Sequence, residues 1–180
     1  MPTKSAARLR KAAMVYLVRH AHAGSQKRWS GSDHHRPLSV RGQEQAKGLL
    51  AILRDQPVAR ILSSPTVRCQ HTVLPLSHHR GVPIELVSSL AVQAAVERLL
   101  ELVLDPSMDL AVLCGHGEQL RGLLRLLVGS VSFDGPLRLE KGSIWILDVS
   151  ADTVGAAHYV PPLRRKHLTD LPRLTSAEAG

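Results

Sequence analysis

"MVYLVRHAHAG", residues 14–24, sets an apolar run directly against Arg19 and His20, with a second histidine two places on at His22. Met14–Val18 is short, apolar and partly β-branched, the composition of a strand buried on both faces. A core gains nothing by ending in a guanidinium and an imidazole, because burying such groups costs free energy unless they are paired. The ending therefore reads as a strand that delivers reactive side chains to the edge of a sheet.

The pattern recurs along the chain. Val58–Leu62 reads as a second strand ending in Ser63-Ser64-Pro65, with Arg68 just beyond; Val82–Val87 reads as a third; Asp109–Leu113 reads as a fourth, ending in "CGHGEQ" (114–119). Helical spacing lies between them. Ser39 is placed to cap a helix running to about Arg54, with Ala46, Leu49, Leu50 and Leu53 on one face. Pro65 is expected in the first turn of the next helix, where its missing N–H is harmless. Ala91–Leu104 has helical spacing, and so does the stretch after His116 to about Val128, whose "EQLRGLLRLLVG" (118–129) buries leucines and turns Arg121 and Arg125 outward. Ser25–Pro37 is a polar loop, and Ser143–Val149 with Val154–Val160 are two late strands able to pair. Strands alternating with helices predict an α/β fold: a three-layer sandwich, its central sheet mostly parallel and helices on both faces.

The bulk properties set bounds. A chain of 180 residues fits one domain with a real core, built from aliphatic side chains because aromatics are only 3%. No apolar run approaches the roughly 20 residues of a membrane span, and no membrane partner is expected. The net charge of +8 belongs mostly to the ends: residues 1–11 hold four bases and no acid, 161–180 four bases against two acids. Residues 1–12 are therefore expected to form a disordered basic leader, 13–160 the single domain, and 161–180 a tail. "MPTKSAARLRKAA" shares the acid-free character of a transit peptide, but it is short. No nucleic-acid-binding motif accompanies the charge, so nucleic acid is not the expected partner. Cys69 and Cys114 alone make no disulfide scaffold, and a reducing cytoplasm is the expected compartment.

In a parallel sheet the strand C-termini line one edge, where ligands bind. That edge would receive Arg19, His20, Arg68 and His116. Two guanidinium forks suit a tetrahedral dianion. A neutral histidine can attack phosphorus and split hydrolysis into formation and breakdown of a phospho-enzyme. A second histidine can stabilise the transition-state oxygens. His22, Lys27 and Arg28, on the following loop, are further candidates for substrate binding. His34-His35 and His78-His79 lack the surrounding ligands of a metal site, and neither metal nor cofactor is expected.

These residues also carry a resemblance. "LVRHAHAG" (17–24) resembles the signature of the histidine phosphatase superfamily, the phosphoglycerate-mutase-like fold; Ala21, where the usual signature has Gly, is similar to the SixA-type branch. "RPLSVRGQEQA" (36–46), "SSPTVRCQHT" (63–72) and "VLCGHGEQL" (112–120) resemble further motifs of the family in the same order. "KGSIWILDV" (141–149) is similar to a late strand of the phosphatase domain fused behind MutT-type Nudix domains in some actinobacterial proteins, which tilts the substrate towards nucleotides. The resemblance implies that His20 is phosphorylated, that Arg19 and Arg68 clamp the phosphate, that His116 completes the pocket, and that residues 13–160 form a metal-independent phosphatase domain. The implied partner is a phosphohistidine protein or a small phosphorylated metabolite or nucleotide.

One departure stands out. Larger members of the family place an acid shortly after the third strand to protonate the leaving group, but here Val92 occupies that region and the nearest acid is Glu97. Poor leaving groups need that proton as the bond breaks. A phosphoramidate or anhydride substrate is therefore expected, with Glu118, Asp33, His34 or His22 as possible stand-ins. The alternative is a catalytically weak module that binds phosphorylated ligands on the same fold.

Overall fold

The computed structural model describes residues 12–133, 135–150 and 153–163, so nearly all of the expected leader and of the expected tail lies outside the described residues. The elements are β1 (Ala13–Arg19), α1 (Val40–Leu53), β2 (Arg60–Ser63), α2 (Val67–Arg80), β3 (Ile84–Leu86), α3 (Val96–Leu104), β4 (Ala111–Gly115), α4 (Gly117–Leu127), β5 (Ser132–Phe133), β6 (Ile144–Ser150) and β7 (Thr153–Val160). They build one seven-stranded sheet in the order β3-β2-β4-β1-β6-β7-β5. Strands β3, β2, β4 and β1 run parallel; β6 joins β1 antiparallel and pairs antiparallel with β7.

The two-residue period of a strand explains the unbroken apolar runs. In β1, Val15 and Leu17 enter one core and Tyr16 and Val18 the other; in β4, Leu113 faces the first core while Val112 and Cys114 face the second. Leu99 and Val103 of α3 and Leu120, Leu123 and Leu124 of α4 cover the first face. Leu49 and Leu53 of α1 and Val73 and Leu76 of α2 cover the second. The three layers are those expected.

Local chemistry sets several boundaries. The Ser39 hydroxyl accepts from the Gly42 N–H at 3.2 Å and caps α1. A Cβ on Gly42 would stand 1.9 Å from the His22 carbonyl oxygen, so only glycine lets α1 approach the segment after β1 this closely. Pro65 does not lie in the first turn of α2. Ser64 continues the sheet, its N–H donating to the Cys114 carbonyl at 2.9 Å, and the helix starts at Val67 behind Thr66. Proline favours an extended residue before it, which is why Ser64 stays with the strand. The helix expected from Ala91 begins only at Val96: Ser88–Leu90 form a 3-10 turn, and α3 starts where Val96 meets Gly122 of α4. Two 3-10 turns, Gln26–Arg28 and Asp33–His35, punctuate the expected loop, and β5 is an element the sequence pattern did not announce.

Candidate active site

Strand register assembles the site. Arg19 lies opposite Gly115 and Ser63 opposite Cys114, so β1, β4 and β2 end side by side. His20 follows β1 and donates its backbone N–H to the Gly115 carbonyl at 3.0 Å; His116 follows β4. Their rings stand 5.3 Å apart at 59°. Both are buried, as is Arg68 from the first turn of α2. The structure thus brings together the four residues expected at this edge.

Partners fix the state of each ring. His20 Nδ1 lies 2.8 Å from the Ala21 carbonyl, which can only accept, so the proton sits on Nδ1 and the lone pair on Nε2. Burial pushes the His20 pKa down to about 3; the Ala21 hydrogen bond opposes this, while His116, Arg68 and Arg19 add to it. His116 receives Arg68 Nη2 at Nδ1, 3.5 Å away, so its Nε2–H is left to donate to the Ser64 hydroxyl at 2.9 Å. His20 is therefore neutral near pH 7, with Nε2 free as a nucleophile.

The depressed pKa has a stability consequence. Unfolded, His20 takes up a proton below its ordinary value near 6.5, whereas the folded protein refuses it until about pH 3. Between these limits the unfolded state binds more protons, so stability falls as pH falls. The loss should reach about 2–3 kcal/mol by pH 4. Urea unfolding from pH 7 to pH 4 should therefore show a flatter pH dependence in His20→Ala than in the wild type; equal slopes would contradict the assignment.

The arginines are held on one side and open on the other. Arg68 Nη1 donates to the Asp33 carbonyl at 2.7 Å and pairs with its carboxylate at 3.1 Å. Arg36 Nε holds the other Asp33 oxygen at 2.7 Å. Burial alone would raise the Asp33 pKa, but its hydrogen bond from Arg36 and the charges of Arg68 and Arg36 hold it below the usual value. Asp33 is thus a poor proton donor. Arg19 Nη1 donates to the Leu139 carbonyl. Its guanidinium lies across Gly117: a Cβ there would stand 2.6 Å from Nε and 2.7 Å from Cζ. The Nε atoms of Arg19 and Arg68 are buried and have no hydrogen-bond partner among the described residues. A buried donor left unpaired costs about 1–3 kcal/mol, and an oxyanion would satisfy both.

The remaining candidates lie outside this cluster. His22 Nδ1 engages the Ser39 hydroxyl at 2.7 Å, its backbone N–H donates to Gln45, and none of the described hydrogen bonds links it to His20 or His116. Lys27 and Arg28 are exposed on the Gln26–Arg28 turn. Glu118 is exposed in the first turn of α4, and Val92 and Glu97 are exposed beyond β3. Both cysteines are buried, with Cys69 Sγ 3.6 Å from His116 Nε2.

Several functional supports were hidden in the sequence. Thr72 accepts from the Ala21 N–H at 2.9 Å and donates to the Arg68 carbonyl at 2.7 Å, tying the histidine loop to α2. Gln45 links His22 to the Lys141 carbonyl. Burial, then the charges of Arg19, Arg36, Arg41 and Arg68, lower the Lys141 pKa. Thr72, Ser64, Gln45 and Lys141 all stand in the quoted motifs, so a signal existed for them; Asp33 was named only as a possible acid, not as the partner of Arg68 and Arg36.

Comparison with known proteins agrees with the geometry. Residues 15–91 match the family model described as histidine phosphatase superfamily (branch 1). The 8-oxo-(d)GTP phosphatase of Mycolicibacterium smegmatis is 32% identical over 161 residues, a match covering 82% of this chain and 48% of the relative; the chain spans about half that protein's length. The protein histidine phosphatase SixA, solved with tungstate, has a similar fold at TM-score 0.65 and 18% identity, over 82% of this chain and 94% of SixA. The alpha-ribazole phosphatase of Shigella flexneri is similar at TM-score 0.62 and 19% identity, over 79% and 93% of the two chains.

Proposed function

We propose that this chain, whose residues 15–91 match the histidine phosphatase superfamily, is a metal-independent phosphatase working through a phosphohistidine at His20. The observation that carries this reading is the pair of buried, unpartnered Nε donors of Arg19 and Arg68 beside an imidazole whose Nε2 keeps its lone pair.

In the proposed reaction a phosphoryl group enters between the guanidinium groups of Arg19 and Arg68. His20 Nε2 attacks phosphorus; the new N–P bond forms as the bond to the leaving group breaks, and that group departs with the bonding pair. Arg19, Arg68 and the backbone N–H groups at the start of α4 bear the charge that develops on the phosphoryl oxygens. A water molecule then attacks phosphorus, the N–P bond breaks towards His20, and inorganic phosphate leaves. Ser64 and Arg68 orient His116, which completes the pocket. Lys27, Arg28 and His22 are kept as contacts to the remainder of the substrate.

The commitment of the nearby Asp33 favours substrates that expel an easily stabilised group. Asp33 is committed to two arginines, and Glu118 is the remaining carboxylate in the first turn of α4. Phosphohistidine, as the name SixA denotes, and a nucleotide, as the name of the mycobacterial relative denotes, both meet that condition. No helix among the described residues is long and apolar enough to cross a membrane; a cytoplasmic setting, where the thiols of Cys69 and Cys114 stay reduced, is part of the proposal. A panel of phosphohistidine peptide, nucleoside di- and triphosphates and sugar phosphates tests it: the first two classes should turn over and sugar phosphates only slowly, whereas no turnover of any would leave a binding module instead.

A further inference from the structure

The five aromatic residues of this chain are Tyr16, Trp29, Phe133, Trp145 and Tyr159. Tyr16 and Trp145 are fully buried, and Phe133 and Tyr159 pack their rings against Trp145. Trp29 is different: it stands 38% exposed on the loop that follows β1. It is nonetheless held in place, its indole N–H donating to the Ser32 carbonyl at 2.9 Å and its ring backed by Gly31, where a Cβ would stand 3.2 Å away. A fixed and exposed indole is a platform for stacking rather than a core residue.

Trp29 borders a groove of about 250 Å³ whose lining includes Gly24, Arg28, Arg36, Pro37 and Leu38. One carboxylate couples a groove residue to the phosphate clamp, since Arg36 and Arg68 hold the two oxygens of Asp33. Gly24 follows His20 by four residues, at most about 14 Å of chain, a reach comparable to a nucleotide. Arg36 uses Nε and Nη1 on Asp33 and on the carbonyls of Ala23 and Gly24, and no described hydrogen bond uses its Nη2. The Arg28 side chain makes none of the described hydrogen bonds or ion pairs. The groove therefore offers an aromatic face, an apolar wall and unspent guanidinium donors.

Resting on the phosphatase reading above, we propose that this groove is a base subsite and that the substrate is a purine nucleoside phosphate. The phosphoryl group lies between Arg19 and Arg68, and the base stacks on Trp29. Arginine donors match the adjacent acceptors on the edge of guanine, which makes guanine the favoured base. An acyl group would leave the indole unused.

Steady-state kinetics with guanosine diphosphate and acetyl phosphate tests the assignment, the second substrate having no base. Trp29→Ala should raise KM for guanosine diphosphate about tenfold or more, the scale of a lost base–aromatic stack, with kcat changed little. Trp29→Phe should restore most of the affinity, and KM for acetyl phosphate should be unchanged in both variants. An unchanged KM for guanosine diphosphate in Trp29→Ala would overturn the base subsite, and so would an equal rise for both substrates. Wild-type enzyme that cleaves acetyl phosphate but not guanosine diphosphate would overturn the base subsite alone. Cleavage of neither, with no turnover of phosphohistidine peptide either, would overturn the phosphatase reading with it.

Discussion

Replacing His20 by alanine should lower kcat by about 10⁴-fold or more, the scale seen when a covalent nucleophile is removed. The expectation comes from the state of the ring. Nδ1 is committed to the Ala21 carbonyl, the pKa is held down to about 3, and Nε2 is left as the one nitrogen able to attack. The variant should stay folded, because the only described side-chain hydrogen bond of His20 is to Ala21 and the backbone bond from its N–H to Gly115 is kept. A melting temperature within a few degrees of wild type, together with binding of inorganic phosphate, would separate loss of chemistry from loss of fold. Wild-type kcat in a folded His20→Ala protein would remove His20 from the mechanism.

Gly117→Ala should lower kcat/KM by about 10²–10³-fold, the loss expected when a transition-state charge donor is displaced. The added Cβ would stand 2.6 Å from Arg19 Nε, and the guanidinium must swing away. Arg19 is a flexible side chain, so folding should tolerate the change; the helix α4 even gains a better helix former at its first position. The loss should arise through Arg19 alone. In an Arg19→Ala background the added methyl group should cost almost nothing further, the non-additivity expected of two residues in contact. Additive losses, or near-wild-type activity in the single variant, would show that Gly117 does not position Arg19.

The strands and the site differ in how far the sequence revealed them. β1 and β4 were legible because burial on both faces demands continuous apolar runs, and Ser39 announced α1 by its capping chemistry. Arg19, His20, Arg68 and His116 were legible because each stands just past a strand, and chain order carries them to one edge. The geometry between residues 20 and 39 was not legible. Asp33 pairs with Arg36 at a local three-residue spacing, but its hold on Arg68, thirty-five residues on, is a tertiary contact that no local spacing encodes. Leu139 and Lys141 reach Arg19 and Gln45 from more than ninety residues away. The start of α3 was misread for the same reason: helical spacing begins at Ala91, but packing against Gly122 decides where the helix forms.

His22 changes meaning through this comparison. In the sequence it is a candidate for substrate binding and a possible stand-in acid, two residues after His20. In the structure Ser39 and Gln45 hold it against α1, and the close approach of Gly42 to its carbonyl ties the loop to the helix. Its expected contact with substrate now rests on the proposed groove beside it.

The most direct test of the account is the covalent intermediate itself. The enzyme is mixed with a 32P-labelled substrate, quenched without acid within its first turnover, and digested for mass spectrometry. The account predicts an acid-labile, base-stable phosphate on His20, absent from His20→Ala. Turnover without label on His20, or label on another residue, would contradict it.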